Sequence, residues 1–103
     1  MTDVTIQYFD GCPNWKHLRT TVEALMSDLD IEATIELQRV ETEEEAVRVR
    51  FRGSPTLLVD GVDPFADEDA PFGLGCRVYR TESGIAGEPP DSHIRAALVK
   101  YAS

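Results

Sequence analysis

The amino-acid sequence predicts one α/β domain, residues 1–103, in which helices flank a mixed four-stranded sheet in the order β-α-β-α-β-β-α. Three observations predict it. The spacing of the hydrophobic residues switches repeatedly between strand-like alternation and helical periodicity. A helix-capping motif begins at Thr42. A chain of 103 residues with 42% hydrophobic content suits one compact core.

The first half of the chain alternates between strand and helix patterns. Residues 4–9 and 31–38 alternate apolar and polar side chains, which predicts two strands, and the polar face of the second predicts a position near a sheet edge. Between them, apolar residues recur at helical spacing from Trp15 to Leu29, behind a proline that suits a first helical turn. Residues 42–45, Thr-Glu-Glu-Glu, have the form of a capping box and predict a second helix.

The second half is predicted to hold two main strands and a final helix. The predicted elements are a strand at 56–59, a long loop at 62–75, a strand at 76–80, an extra short strand at 85–87 and a last helix capped by Asp91 or Ser92. Loops as long as the one at 62–75 are often functional.

Charge and composition restrict the partners. The formal net charge of −9 argues against nucleic-acid backbones and anionic membrane surfaces. The first residues contain neither a basic region nor an apolar signal core, so we expect a soluble, cytoplasmic protein. Cys12 and Cys76 are the only cysteines, which is too few for a disulfide-stapled secreted scaffold. In a reducing cytosol, a cysteine at a helix start indicates chemistry rather than structure.

Two proline motifs resemble a known family. Cys-Pro at residues 12–13 opens the first predicted helix, and Gly-Ser-Pro-Thr at residues 53–56 opens the third predicted strand. With the order of elements, they resemble the thioredoxin-like superfamily, which includes thioredoxins and glutaredoxins. The resemblance implies that Cys12 is the reactive thiol and that Pro55 follows a cis peptide bond beside it. The phrases FRGSPTLLVDGVDPF and GCRVYR also resemble small bacterial thioredoxin-like proteins, some of them loosely labelled alkylmercury lyase.

The motif departs from the family pattern at its second thiol. The usual Cys-x-x-Cys is here Cys-Pro-Asn-Trp, with Trp15 in the place of the second cysteine. We interpret Trp15 mainly as a core residue, although its indole could also cover the thiolate or stack on a substrate. Cys12 would then act through an external thiol or with Cys76. In the usual topology of the family, the fourth strand starts at the end of the sheet away from the active site, which would keep Cys76 far from Cys12. The loop at 62–75 is long enough to bring Cys76 back to Cys12. Both positions stay open.

The surroundings of Cys12 favour its thiolate form. A helix start presents unpaired amides and partial positive charge, and Lys16 and His17 lie one turn further on. We therefore expect a thiol pKa below the free value of about 8.5. A cis bond between Ser54 and Pro55 would leave the Ser54 backbone open, so that an extended substrate could add there as a strand.

The first functional hypothesis is a thiol-disulfide oxidoreductase. Cys12 attacks a disulfide, Cys76 or an external thiol resolves the product, and Trp15, Ser54 and Pro55 bind the substrate. The partner is a thiol or disulfide of a protein or of a small molecule such as glutathione. Arginines at 48, 50 and 52 could hold the carboxylates of that molecule, although Arg48 is more simply paired with Glu44.

Two other hypotheses come from different functional classes. The first is a module that binds a thiophilic ion such as Hg(II), Cu(I) or As(III) through Cys12, with or without Cys76. The second is a non-catalytic thioredoxin-like domain whose Ser54–Pro55 groove binds a peptide. His17 and His93 are not at metal-ligand spacing with the cysteines, so neither a zinc site nor a cofactor is predicted.

Overall fold

The computed structural model describes residues 2–65, 72–75, 77–81 and 84–101. The elements within these residues are β1 (Thr2–Tyr8), α1 (Asn14–Asp28), β2 (Ala33–Arg39), α2 (Glu43–Arg48), β3 (Thr56–Val59), β4 (Tyr79–Thr81), β5 (Gly84–Ala86) and α3 (Asp91–Tyr101). In this part of the chain, no helix is long and apolar enough to cross a membrane.

β1 is the central strand of a three-stranded mixed sheet with the order β2-β1-β3. It pairs in parallel with β2, so that Val4 lies opposite Ile35. It pairs antiparallel with β3, where Ile6 lies opposite Leu57. The parallel pair needs a crossover connection, which α1 supplies. β2 is an edge strand of this sheet and alternates half-buried with exposed side chains over most of its length, which confirms the predicted edge position.

In the described residues, the main sheet has three strands rather than the four predicted. β4 and β5 form a separate two-stranded antiparallel sheet. The chain that leads into β4 meets the main sheet at Ser54, before β3 begins, where the Arg77 N–H donates to the Ser54 carbonyl. Near the other end of β3, Val59 exchanges two backbone hydrogen bonds with Val62. Within the described residues, β3 therefore has short backbone pairing at its two ends rather than a fourth strand along its free edge. β5 corresponds to the extra short strand predicted at 85–87.

The helices pack in two hydrophobic clusters. α1 and α3 share the larger cluster with β1 and β3, which consists of Val4, Ile6, Leu18, Val22, Met26, Leu57, Val59, Ile94 and Leu98. α2 contributes to a smaller cluster of Val40, Ala46 and Phe51. Gln7, the neighbour of Ile6 on β1, is buried and donates to Gln38 Oε1 at 2.7 Å. Because successive side chains of a strand point to opposite faces, β1 is buried on both faces at Ile6 and Gln7, whereas Asp3 is exposed.

The predicted helix starts agree with the structure. Thr42 Oγ1 accepts a hydrogen bond from the Glu45 N–H at 3.0 Å, which confirms the cap by Thr42. The Glu45 carboxylate lies against the Thr42 hydroxyl. α3 begins at Asp91, which was predicted as a possible cap and is the first residue of the helix instead. α1 begins at Asn14 behind Pro13, and no side chain caps its first turn. The first amides of α1 are thus left without a side-chain acceptor, directly after Cys12.

Candidate functional site

Cys12 lies at the junction between the central strand and the longest helix. β1 ends at Tyr8, a turn follows at Asp10 and Gly11, and the Cys12 N–H donates to the Phe9 carbonyl at 3.2 Å. The first turn of α1 carries no acidic residue. A helix N-terminus carries partial positive charge from its unpaired amides. The sequence therefore places a sulfur where negative charge is stabilised and no nearby helical carboxylate opposes it.

The Cys12 side chain is completely buried, with 0% of the residue exposed, and its sulfur is disulfide-bonded. Two polar groups contact this sulfur: the Ser54 carbonyl oxygen at 3.4 Å and the Asn14 side-chain Nδ2 at 3.7 Å. The structure thus brings Cys12 together with Ser54, as predicted. Cys76 lies outside the described residues, as do residues 66–71 of the loop that precedes it.

The Ser54–Pro55 peptide bond is cis, which confirms the prediction from the Ser-Pro motif. Ser54 is fully buried, and both of its backbone groups are occupied by the chain itself. Its N–H donates to the Gly75 carbonyl at 2.7 Å, and its carbonyl accepts from the Arg77 N–H at 2.9 Å. The backbone expected to be open for an added substrate strand is paired here with the segment on either side of Cys76.

Gly53 allows this segment to approach. Its φ of +118° is accessible to glycine and strained for other residues. A Cβ built at Gly53 would lie 3.0 Å from both the backbone N and the Cβ of Arg77. Glycine is therefore required here both by backbone conformation and by close packing.

An ion pair that the sequence did not predict supports the cis-proline loop. Arg77 Nη1 donates to Asp63 Oδ2 at 2.8 Å, and the two side chains are only 8% and 16% exposed. The same nitrogen lies 3.3 Å from Thr56 Oγ1, which itself donates to the Gly53 carbonyl at 2.7 Å. Arg77 also donates to the Phe65 carbonyl through Nη2. The guanidinium thus joins the turn after β3 to the backbone before it.

Tyr79 contacts the cis-proline directly. Its hydroxyl donates to the Pro55 carbonyl at 2.5 Å, and its ring meets Phe65 edge-on with centroids 5.7 Å apart. Burial raises the pKa of Tyr79 well above its ordinary value; Arg77 opposes this rise and Asp63 adds to it. The phenol therefore stays protonated and remains a hydrogen-bond donor to Pro55.

Asn14 is the site residue on α1 that sequence reasoning missed. Its amide lies 3.7 Å from the Cys12 sulfur and donates to the Gly87 carbonyl at 3.4 Å. Three residues further on, His17 pairs with Glu88. The segment after β5 is thus held against the start of α1. The sequence did contain a clue: Asn14 is the one polar residue between Cys12 and Trp15 in Cys-Pro-Asn-Trp, so its side chain could have been expected near the sulfur.

Comparisons with protein-family models, with curated proteins and with solved structures find no match to this chain. Membership of the thioredoxin-like superfamily therefore stays a prediction, and the chemistry of the site has to be inferred from its own residues.

Trp15 takes part in the core. Its ring stacks on Tyr8 with centroids 4.3 Å apart and packs against the larger hydrophobic cluster. Lys16 Nζ lies 5.8 Å from the indole centroid. The interpretation of Trp15 as a core residue is confirmed, and its predicted role in substrate binding stays a prediction.

The arginines near the loop are arranged differently from the prediction. Arg48 lies 3.8 Å from Glu45 rather than pairing with Glu44, because these side chains face each other three positions apart on α2. The Arg52 guanidinium lies over the Phe72 ring at 4.6 Å. Among the described residues, no group of three or more His, Cys, Asp or Glu side chains could hold a metal ion.

Proposed function

We propose that this protein is a thioredoxin-like thiol-disulfide oxidoreductase in which Cys12 forms a reversible disulfide with Cys76, the one other cysteine of the chain. The observation that carries the proposal is the disulfide state of the Cys12 sulfur, beside the cis Ser54–Pro55 bond at the start of α1.

The neighbours of Cys76 in sequence support this pairing. Gly75 and Arg77 both hydrogen-bond to the backbone of Ser54, whose carbonyl oxygen lies 3.4 Å from the Cys12 sulfur. A disulfide requires Cα atoms within about 7 Å of each other. Of the two positions that the sequence left open for Cys76, these hydrogen bonds favour the one beside Cys12.

The arrangement of the main sheet supports the thioredoxin-like assignment. A parallel β1-α1-β2 unit, an antiparallel β3 and a cis-proline before β3 occur together in the described residues. The three-stranded main sheet departs from the four strands expected of that fold, and the separate β4-β5 pair is the specific point of difference.

The reaction is an exchange of two electrons between thiols and disulfides. Two external thiols give up two electrons and two protons and join as a disulfide, while the protein disulfide gains them and becomes a dithiol. The reverse direction reduces a substrate disulfide and re-forms the protein disulfide. The partner is a thiol or disulfide of a protein or of a small molecule such as glutathione. The exposed side chains of Arg48 and Arg50 offer positive charge to its carboxylates.

The other two functions have less support. A peptide-binding groove at Ser54 would need its backbone groups, which already bond to Gly75 and Arg77. A soft-metal module needs thiolates as ligands, whereas the Cys12 sulfur is in a disulfide. Metal binding would therefore be limited to the reduced protein.

The test is equilibration of the purified protein with glutathione buffers of graded ratio, followed by acid quenching, alkylation and a count of thiols by mass spectrometry. We expect zero or two thiols per chain with one two-electron transition, and reduction by glutathione that proceeds without denaturant. Cys12→Ser, checked for folding by circular dichroism, should show no such transition. A disulfide that is reduced only after unfolding would be structural and would overturn the proposal.

A further inference from the structure

The Cys12 sulfur of the disulfide is closed to attack from outside. Cys12 is 0% exposed although Gly11 and Pro13 on either side of it are exposed. Its sulfur is packed against the Ser54 carbonyl oxygen at 3.4 Å and the Asn14 amide at 3.7 Å. An external thiol cannot reach this atom without first opening the site.

Thiol-disulfide exchange requires contact between the attacking thiolate and the sulfur that it attacks, and access decides which sulfur that is. We propose that Cys12 is the leaving sulfur and that external thiolates attack its partner. This inference rests on the proposed function, in which the partner is Cys76. It reverses the role that the resemblance implies for Cys12, because the cysteine at the helix start would resolve the exchange rather than begin it.

The contacts of Cys12 suit a leaving group. A thiol that is stabilised as its thiolate leaves faster. Negative charge that develops on Cys12 meets the Asn14 amide and the N-terminus of α1, whose first turn carries no carboxylate. The features that the sequence suggested for an attacking thiolate therefore serve the departing one.

Reduction of the protein disulfide takes two exchange steps. An external thiolate bonds to the Cys76 sulfur, the Cys76–Cys12 bond breaks, and Cys12 leaves with the electron pair as a thiolate. A second external thiolate then bonds to the sulfur of the first and releases Cys76 as a thiolate. One disulfide has been reduced by two electrons and two external thiols have been oxidised to a disulfide. In the reverse direction, the Cys76 thiolate attacks a substrate disulfide and releases one substrate thiolate. The Cys12 thiolate then bonds to the Cys76 sulfur of this mixed disulfide and releases the second substrate thiolate.

The decisive experiment maps the first adduct on the oxidised wild-type chain. The protein is mixed with glutathione, quenched in acid within a fraction of the reduction time, and alkylated with N-ethylmaleimide. Peptide mass spectrometry then locates the two modifications. We expect glutathione on Cys76 and the maleimide on Cys12. Glutathione on Cys12, or in similar amounts on both residues, would overturn the proposal, whereas a failure to reduce the native protein at all would refute the proposed function instead.

A second measurement decides the question if the adduct is too short-lived to collect. Cys12→Ser and Cys76→Ser are each reacted with oxidised glutathione, both native and in denaturant, so that each thiol is compared with its own unfolded rate. Native Cys12→Ser should keep a larger fraction of its denatured rate than native Cys76→Ser does. Native Cys76→Ser should react at least about tenfold more slowly than its denatured rate, because its thiol is enclosed. The opposite order would overturn the proposal.

Discussion

The Ser54 carbonyl oxygen and the Asn14 amide contact the same Cys12 sulfur, at 3.4 and 3.7 Å, and they favour opposite forms of it. A carbonyl oxygen accepts a hydrogen bond from a thiol and repels a thiolate, whereas an amide N–H stabilises the thiolate. The carbonyl is already bonded to the Arg77 N–H, which weakens its effect on the sulfur. The Asn14 amide is thus the contact at this sulfur that favours the thiolate.

Asn14→Ala should slow the reduction of the native disulfide by glutathione. A lost hydrogen bond of about 1 kcal/mol corresponds to roughly a fivefold lower rate. The measurement is the rate of thiol appearance under excess glutathione at fixed pH. Thr20→Ala is the matched control, because Thr20 is an exposed residue of the same helix that bonds to the Lys16 carbonyl. An unchanged or faster rate in Asn14→Ala would show that its amide does not assist the sulfur.

Gly53→Ala should destabilise the protein more than Gly84→Ala. Both glycines have similar backbone conformations, with φ of +118° and +126°, so the cost of a positive φ, about 1–3 kcal/mol, applies to both. A Cβ at Gly53 would also press on the Arg77 backbone at 3.0 Å, whereas one at Gly84 would meet nothing within 4 Å. Urea unfolding of both variants measures the difference. Equal losses would show that the Arg77 segment yields without cost.

The elements of this fold that the sequence predicted are those with local signals. The alternation in β2, the capping box at Thr42 and the strand at Thr56–Val59 each depend on residues close together in the chain. The cis bond at Pro55 was also predicted from one motif. Of the strand predicted at 76–80, Tyr79 and Arg80 lie in β4, while the Arg77 backbone bonds to Ser54.

The contacts that complete the site join distant parts of the chain. Asn14 reaches Gly87, and Gly75 and Arg77 reach Ser54. None of these pairs has a periodic or spaced pattern that would predict it. Asp63 was part of a stretch interpreted as loop, and its carboxylate acquires a role only when the fold brings Arg77 beside it.

Asp63→Asn should cost about 2–3 kcal/mol of unfolding free energy. The change leaves the buried Arg77 guanidinium without its carboxylate, and an uncompensated buried charge is strongly unfavourable. Asp28→Asn is the matched control, since Asp28 pairs with Arg95 on the surface, where the side chains are 59% and 47% exposed. Such surface pairs contribute about 0.5 kcal/mol or less. Chemical denaturation of both variants tests this, and comparable losses would contradict a structural role for the Arg77–Asp63 pair.

Tyr79 should give the protein an alkaline limit of stability. Burial raises the pKa of Tyr79 in the folded state, with Arg77 opposing and Asp63 adding to the rise, whereas an unfolded tyrosine titrates near pH 10. The folded state thus holds the Tyr79 proton more tightly than the unfolded state does. The resulting contribution to the unfolding free energy is fully present below about pH 10. Above that pH the unfolded state loses the proton first, so the unfolding free energy falls by up to about 1.4 kcal/mol per pH unit.

Tyr79→Phe isolates this contribution. Below pH 10 the variant should be about 1–2 kcal/mol less stable than the wild type, because the buried Pro55 carbonyl loses its 2.5 Å hydrogen bond. Above pH 10 the wild type loses the Tyr79 contribution, whereas the variant has no such contribution. The difference in unfolding free energy between the two proteins should therefore become smaller. Tyr101→Phe, in α3, is the matched control and should retain the alkaline fall. Urea unfolding at intervals from pH 8 to about pH 11 measures both. A difference between wild type and Tyr79→Phe that stays constant across this range would show that the Tyr79 phenol is not held in its protonated form by burial.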